Sequence, residues 1–141
     1  MAKTALITGA SSGIGREIAR DLYGRGFRII LCARREERLR ELAAELGENT
    51  RVIVCDVSDR EECLRLYEET KSEKISVLVN CAGFGAVGSF EEVPLDTELR
   101  MIDTNITAVH MLTKLFLKDF VAADRGYICL LYTSPSPRDT R

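Results

Sequence analysis

The sequence has little histidine, no closely paired cysteines, no long apolar run and no large excess of charge. His110 is the single histidine, and the five cysteines (Cys32, Cys55, Cys63, Cys81, Cys129) include no C-x-x-C pair. That combination argues against a zinc centre. The apolar surroundings of four of the cysteines predict buried free thiols instead. No apolar stretch approaches the roughly 20 residues that span a bilayer, so no membrane partner is expected. A net charge of -2 gives no electrostatic footprint for nucleic acid. Lys3 runs directly into TALITGASSGIG, without the apolar core or cleavage site of a signal peptide, so the cytoplasm is the expected compartment.

What is present is the composition of one ordinary globular domain: 141 residues, 45% apolar and 30% charged. Short apolar runs alternate with helical periodicity. KTALIT (3–8), FRIILCA (27–33), RVIVCDV (51–57), ISVLVNCAG (75–83) and GYICLL (126–131) read as strands. Ile14, Ile18 and Leu22 give 13–24 one apolar helical face. Leu39, Leu42, Ala43 and Leu46 mark a second helix that Gly47 closes. Ser58 is the expected N-cap of a helix over roughly 59–72, with Glu61 and Glu62 in its first turn. After Pro94, one long helix is expected from about 95 to 121. Such alternation predicts an α/β, Rossmann-type doubly wound parallel sheet, with ligands bound at the carboxyl ends of its strands.

The turn TGASSGIG joins the first strand to the first helix. Gly9 permits the tight turn, Gly13 lets backbone approach a phosphate, and Gly15 lets the helix pack closely on the sheet. The helix N-terminus offers free N–H groups, and Ser11 and Ser12 add hydroxyl donors. A glycine-rich turn without a ligand is the plain alternative. Its position between the first strand and first helix favours a dinucleotide pyrophosphate.

Thr-Gly-x-x-x-Gly-Ile-Gly, with Ile14 between the last two glycines, resembles the cofactor fingerprint of the short-chain dehydrogenase/reductases. The resemblance continues through Asp56-Val57, through NCAG (80–83) where the family usually has Asn-Asn-Ala-Gly, and through Asn105. It covers roughly residues 3–128. It implies that the Asp56 carboxylate accepts from the adenine amino group with help from the Val57 backbone. A turn or N-cap aspartate is the alternative. It also implies that Asn80 ties neighbouring strand ends, that Ala82 and Gly83 pass backbone against the cofactor ribose, and that Asn105 holds a water in a proton relay. Apolar neighbours surround Asn105 on its helix, so a purely structural amide is the other reading. Cys81 stands where the second Asn is common and reads as a tolerated small residue.

The end of the second strand chooses between the nicotinamide cofactors. Ala33 stands where an NAD enzyme carries Asp, and Arg34 is suited to a 2′-phosphate, with Arg35 or Arg38 nearby. NADP(H) is therefore expected over NAD(H). RREERLR as a merely solvated helix start remains the alternative for Arg35 and Arg38.

The family's chemistry needs a Ser followed by Tyr-x-x-x-Lys after the fifth strand, in which a lysine one helical turn away stabilises the phenolate. The one Tyr-x-x-x-Lys here, Tyr67 to Lys71, precedes the fourth strand and reads as core packing. No lysine follows Tyr127. The resemblance thus implies an oxidoreductase that interconverts a carbonyl and an alcohol on a small molecule. Residues 1–128 are expected to be its incomplete cofactor-binding domain, truncated after the fifth strand and close to inactive alone. The alternative is a non-catalytic dinucleotide sensor or interaction module. CLLYTSPSPRD (129–139) resembles the translation of a transposase sequencing-library adapter, so 129–141 are expected to be a non-native tail. The loop 84–96 offers Phe84, Val87 and Phe90 as substrate contacts or as packing. The long helix, apolar on more than one face, suits the interface of a homo-oligomer.

Overall fold

The computed structural model describes residues 2–11, 13–84 and 88–131. Five strands, β1 (Thr4–Thr8), β2 (Arg28–Ala33), β3 (Thr50–Val54), β4 (Ile75–Asn80) and β5 (Tyr127–Leu130), form one sheet in the order β3-β2-β1-β4-β5. Every pairing is parallel. The helices are α1 (Gly13–Gly24), α2 (Glu36–Leu46), α3 (Arg60–Thr70), α4 (Leu95–Ile102) and α5 (Ala108–Ala122).

The period of two along each strand divides the core between two faces. Leu6, Ile30, Cys32 and Ile53 face α3 and α5, where Cys63, Leu66, Leu112, Phe116 and Phe120 pack on them. Ala5, Ile7, Ile29 and Leu31 face α1 and α2, against Ala19, Leu39 and Leu42. Every residue of β1 is buried, which explains its unbroken apolar reading. Each fully buried Leu, Ile or Phe contributes about 1.5–3 kcal/mol, so the paired layers supply the main stabilising term.

Several local expectations are corrected. The N-cap of α3 is Asp59, whose carboxylate accepts from the Glu61 N–H. The Ser58 side chain is turned away from the helix start instead, its N–H and hydroxyl both donating to Asp56 Oδ1. The long helix is not continuous: residues Asp103–Thr107 form a π-helical segment between α4 and α5, with the Ala108 N–H donating to the Asp103 carbonyl. β3 ends at Val54 and β4 at Asn80, each shorter than its apolar run. Ile14 is not part of a buried stripe: Gly15 and Ala19 are the buried residues of α1, and Ile14 is 49% exposed. Of the cysteines, Cys32, Cys55 and Cys63 are buried, Cys81 is partly buried and Cys129 is exposed. Cys129 and Leu130 continue the β5 ladder opposite Val79 and Asn80. Residues 132–141 and Val87 lie outside the described residues.

Candidate functional site

The crossovers leave β1 toward β2 and β4 toward β5, so the strand order reverses between β1 and β4. At the carboxyl ends of these strands lies an open cleft of about 920 Å³, within the range of ligand sites. Its walls bring together Gly9, Ser11, Gly13, Ile14, Gly15, Arg34, Arg35, Asp56, Val57, Asn80, Ala82, Gly83 and Asn105. These are all the sequence-predicted site residues except Ser12, which lies outside the described residues.

Gly9 is fixed by two constraints. Its φ is 65°, and a Cβ there would sit 2.6 Å from the Ala82 backbone nitrogen. The turn after β1 is thereby pressed against the end of β4. Thr8, for which the sequence reading had no role, fastens the same junction: its Oγ1 accepts from the N–H groups of Cys81 and Ala82, both at 3.2 Å. The ends of β1 and β4 are thus tied by the Thr8 side chain, while the Asn80 carbonyl accepts from the Leu131 N–H at the end of β5 at 3.1 Å. The Asn80 side chain instead points to α5, with Nδ2 3.4 Å from Thr113 Oγ1. A hydroxyl residue on the last strand position before a glycine turn was the available signal for Thr8.

Gly13, at the start of α1, has open space where a Cβ would project. The exposed Ile14 stands beside it at the cleft wall. A glycine-turn helix start facing open space is the cradle that a pyrophosphate requires.

At the end of β2, Ala33 is buried and Arg34, Arg35 and Arg38 are exposed. Among the described residues, Arg20, Arg25, Arg28, Arg40, Arg51 and Arg65 each pair with a carboxylate, whereas Arg16, Arg60, Arg100 and Arg125, none of them at the end of β2, do not. Nor, among the described residues, does any of Arg34, Arg35 and Arg38. Asp56 forms an Asx turn through Oδ1 alone. The turn reading therefore holds, and Oδ2 remains a second acceptor beside the cleft.

Asn105 lies within the π-helical segment. Its Oδ1 accepts from the Phe84 N–H at 3.0 Å and its Nδ2 donates to the Phe84 carbonyl at 2.8 Å. The structural reading of this amide is therefore present. Met101, Thr104, Val109 and Leu130 line the same end of the cleft and carried no distinctive sequence signal.

Tyr67 lies away from the cleft. Its ring packs edge-on against Phe116 at 5.1 Å and its hydroxyl donates to Asp119 Oδ2 at 2.7 Å. The Asp119 carboxylate holds the phenol up at about 12, opposite to what a proton-transferring tyrosine requires. Cys81 is likewise pushed up to about 12, by burial, which opposes a nucleophilic thiolate. Among the described residues, no group of three or more His, Cys, Asp or Glu is placed to hold a metal, and no helix is long and apolar enough to cross a membrane.

The family model described as short chain dehydrogenase matches residues 3–133. A granaticin polyketide synthase protein of Streptomyces violaceoruber is 42% identical over 132 residues, covering 88% of this chain and 48% of that protein. The 11-beta-hydroxysteroid dehydrogenase A of Sesamum indicum is 37% identical, covering 96% and 42%. The chain thus spans about half the length of the curated relatives it matches. Among solved structures, a bulky-bulky ketone specific alcohol dehydrogenase from Comamonas testosteroni superposes with a TM-score of 0.89 at 29% identity, covering 96% of this chain and 57% of that one. A metagenomic short-chain oxidoreductase in complex with NADP gives 0.88 at 31% identity, covering 94% and 62%.

Proposed function

The chain belongs to the short-chain dehydrogenase family, and from that premise we propose that it supplies the NADP(H)-binding part of an oxidoreductase interconverting a small-molecule carbonyl and alcohol. NADP(H) is preferred over NAD(H). The observation that carries the cofactor choice is the set of unpaired guanidiniums at the end of β2, beside an alanine that offers no charge to repel a 2′-phosphate. Residues 1–128 carry this binding part.

When bound, the nicotinamide supplies or accepts the hydride. The residues of this chain bind and orient. The α1 start, with Gly9, Ser11, Ser12, Gly13, Ile14 and Gly15, takes the pyrophosphate. Arg34 takes the 2′-phosphate with Arg35 beside it. Asp56 accepts from the adenine amino group through Oδ2, with the Val57 backbone alongside. Asn80, Ala82 and Gly83 form the wall along the ribose. Asn105 supports the reacting end by fixing the Phe84 backbone and by holding a water for proton transfer. The similarity to an 11-beta-hydroxysteroid dehydrogenase and to an NADP-bound short-chain oxidoreductase supports this reading.

A second reading, a dinucleotide sensor without turnover, is favoured by one observation. The Tyr-x-x-x-Lys of the described residues has its phenol committed to Asp119 and held at about 12.

The compartment is cytoplasmic and the whole protein a homo-oligomer. Leu95, Leu99, Ile102, Ile106, Leu117 and Val121 are exposed along α4, the π segment and α5.

Titration with NADPH and NADH tests the cofactor choice. The wild type binds NADPH more tightly, and Arg34→Asp weakens NADPH by about tenfold or more while leaving NADH within about threefold. Tighter binding of NADH by the wild type would sink the assignment.

A further inference from the structure

The loop Cys55–Ser58 presents Asp56 and Val57 to the cleft. Besides the Asp59 N–H bond to the Asp56 carbonyl at 3.1 Å and the Cys55 thiol bond to the Glu62 carbonyl at 3.5 Å, it is held at three points. The Cys55 N–H donates to the Ala33 carbonyl at 2.9 Å, extending the β2–β3 ladder by one bond. Asp56 Oδ1 closes the Asx turn on Ser58. The third tie comes from below: Cys63, one turn into α3, donates its Sγ–H to the Val57 carbonyl at 3.2 Å.

Among the described residues, that third bond is the sole hydrogen bond to the Val57 carbonyl. Val57 is 7% exposed and Cys63 fully buried. No backbone N–H among the described residues reaches the Val57 carbonyl. A buried carbonyl left without a donor bears its full desolvation penalty, so even a weak thiol donor matters here. The bond requires a protonated sulfur. Burial, helped by the carboxylates of Asp59, Asp56 and Glu62, pushes Cys63 up to about 12, so the thiol stays a donor throughout the neutral range.

We infer that Cys63 is a positioning residue for the adenosine end of the cleft, its thiol fixing the Val57 carbonyl and with it the backbone that carries Asp56. This rests on the NADP(H) reading of the cleft. Cys63 touches no ligand; it acts through the loop. Alanine removes the donor with a small loss of volume, and serine restores a hydroxyl donor at the same place.

The test is calorimetric titration of wild type, Cys63→Ala and Cys63→Ser with adenosine 2′,5′-bisphosphate, the adenosine half of NADP, with thermal melts of all three. Cys63→Ala is expected to bind about fivefold more weakly, the loss of one modest hydrogen bond. Cys63→Ser is expected to return to within about twofold of wild type, even where its melting midpoint is lowered by a polar group in the core. Equal binding by wild type and Cys63→Ala overturns the inference. So does a Cys63→Ser form as weak as Cys63→Ala with a parallel loss of stability, which would make Cys63 a space-filling residue only. A wild type that binds no adenosine 2′,5′-bisphosphate overturns the NADP(H) reading itself, and the inference with it.

Discussion

The Asn105 side chain pairs with both backbone groups of Phe84, accepting at 3.0 Å and donating at 2.8 Å, as a neighbouring strand would. The pairing depends on Gly83, where a Cβ would lie 2.9 Å from Asn105 Oδ1. It also depends on the π segment, whose extra residue interrupts the regular helix at Asn105. Two features that look unrelated in sequence, a glycine after β4 and an asparagine in the following helix, are one contact.

Gly83→Ala and Asn105→Ala should therefore be coupled. Each alone is expected to destabilise the fold by about 1–3 kcal/mol, through a displaced or deleted hydrogen-bonding amide. In the double variant the added methyl has no amide to displace, so the two costs should fall short of additivity by about 1 kcal/mol or more. Urea unfolding of the four forms measures this. Strict additivity would mean that the Gly83 and Asn105 effects are independent.

A second contact lies at the opposite end of the sheet. The Glu73 carboxylate is shared by Arg28 of β2 and Arg51 of β3, and its side chain is only 14% exposed while each arginine is 38% exposed. It fastens the 3₁₀ turn Lys71–Glu73 to the starts of two strands. Glu73→Gln keeps the shape and removes the charge. It is expected to cost about 1–2 kcal/mol, a charge-assisted interaction exchanged for a neutral one. The check is the denaturation midpoint at low and high salt, because added salt should narrow the gap between variant and wild type. A gap unchanged by salt would point to packing alone.

The layered fold was legible because its signals are local and repeated. The central strands β1 and β2 are buried on both faces, and glycines mark the turns. The site was legible as a set because a parallel sheet gathers every strand end on one edge. What escaped depends on tertiary competition. Ser58 could cap α3 in isolation, but its hydroxyl is oriented to Asp56 and the neighbouring Asp59 accepts the Glu61 N–H. The π segment shows no break in periodicity large enough to read, and the Asn105–Phe84 contact it accompanies joins residues far apart in the sequence. Ile14 matched the helical stripe by spacing, yet its place at the cleft wall follows from the direction in which α1 leaves the turn. The thiol of Cys63 reads as a small apolar group until the carbonyl above it is seen.

Tyr67 provides a pH-dependent prediction. Its hydroxyl donates to Asp119, and the carboxylate raises the phenol from its usual value near 10 to about 12. A raised folded-state value means that the neutral phenol is favoured by folding. The contribution is fully present below pH 10 and is lost as the pH climbs from 10 to 12. Wild type should therefore lose stability more steeply than Tyr67→Phe across that window, and the two melting curves should converge at its alkaline end. Ultraviolet titration of the phenols should show one late-ionising group in the wild type that is missing from Tyr67→Phe. An equal alkaline slope in both proteins would mean that the Asp119 contact does not persist in solution. Tyr67 would then lose the main physical reason it has for being held in the wrong protonation range for catalysis, leaving chiefly burial to raise it.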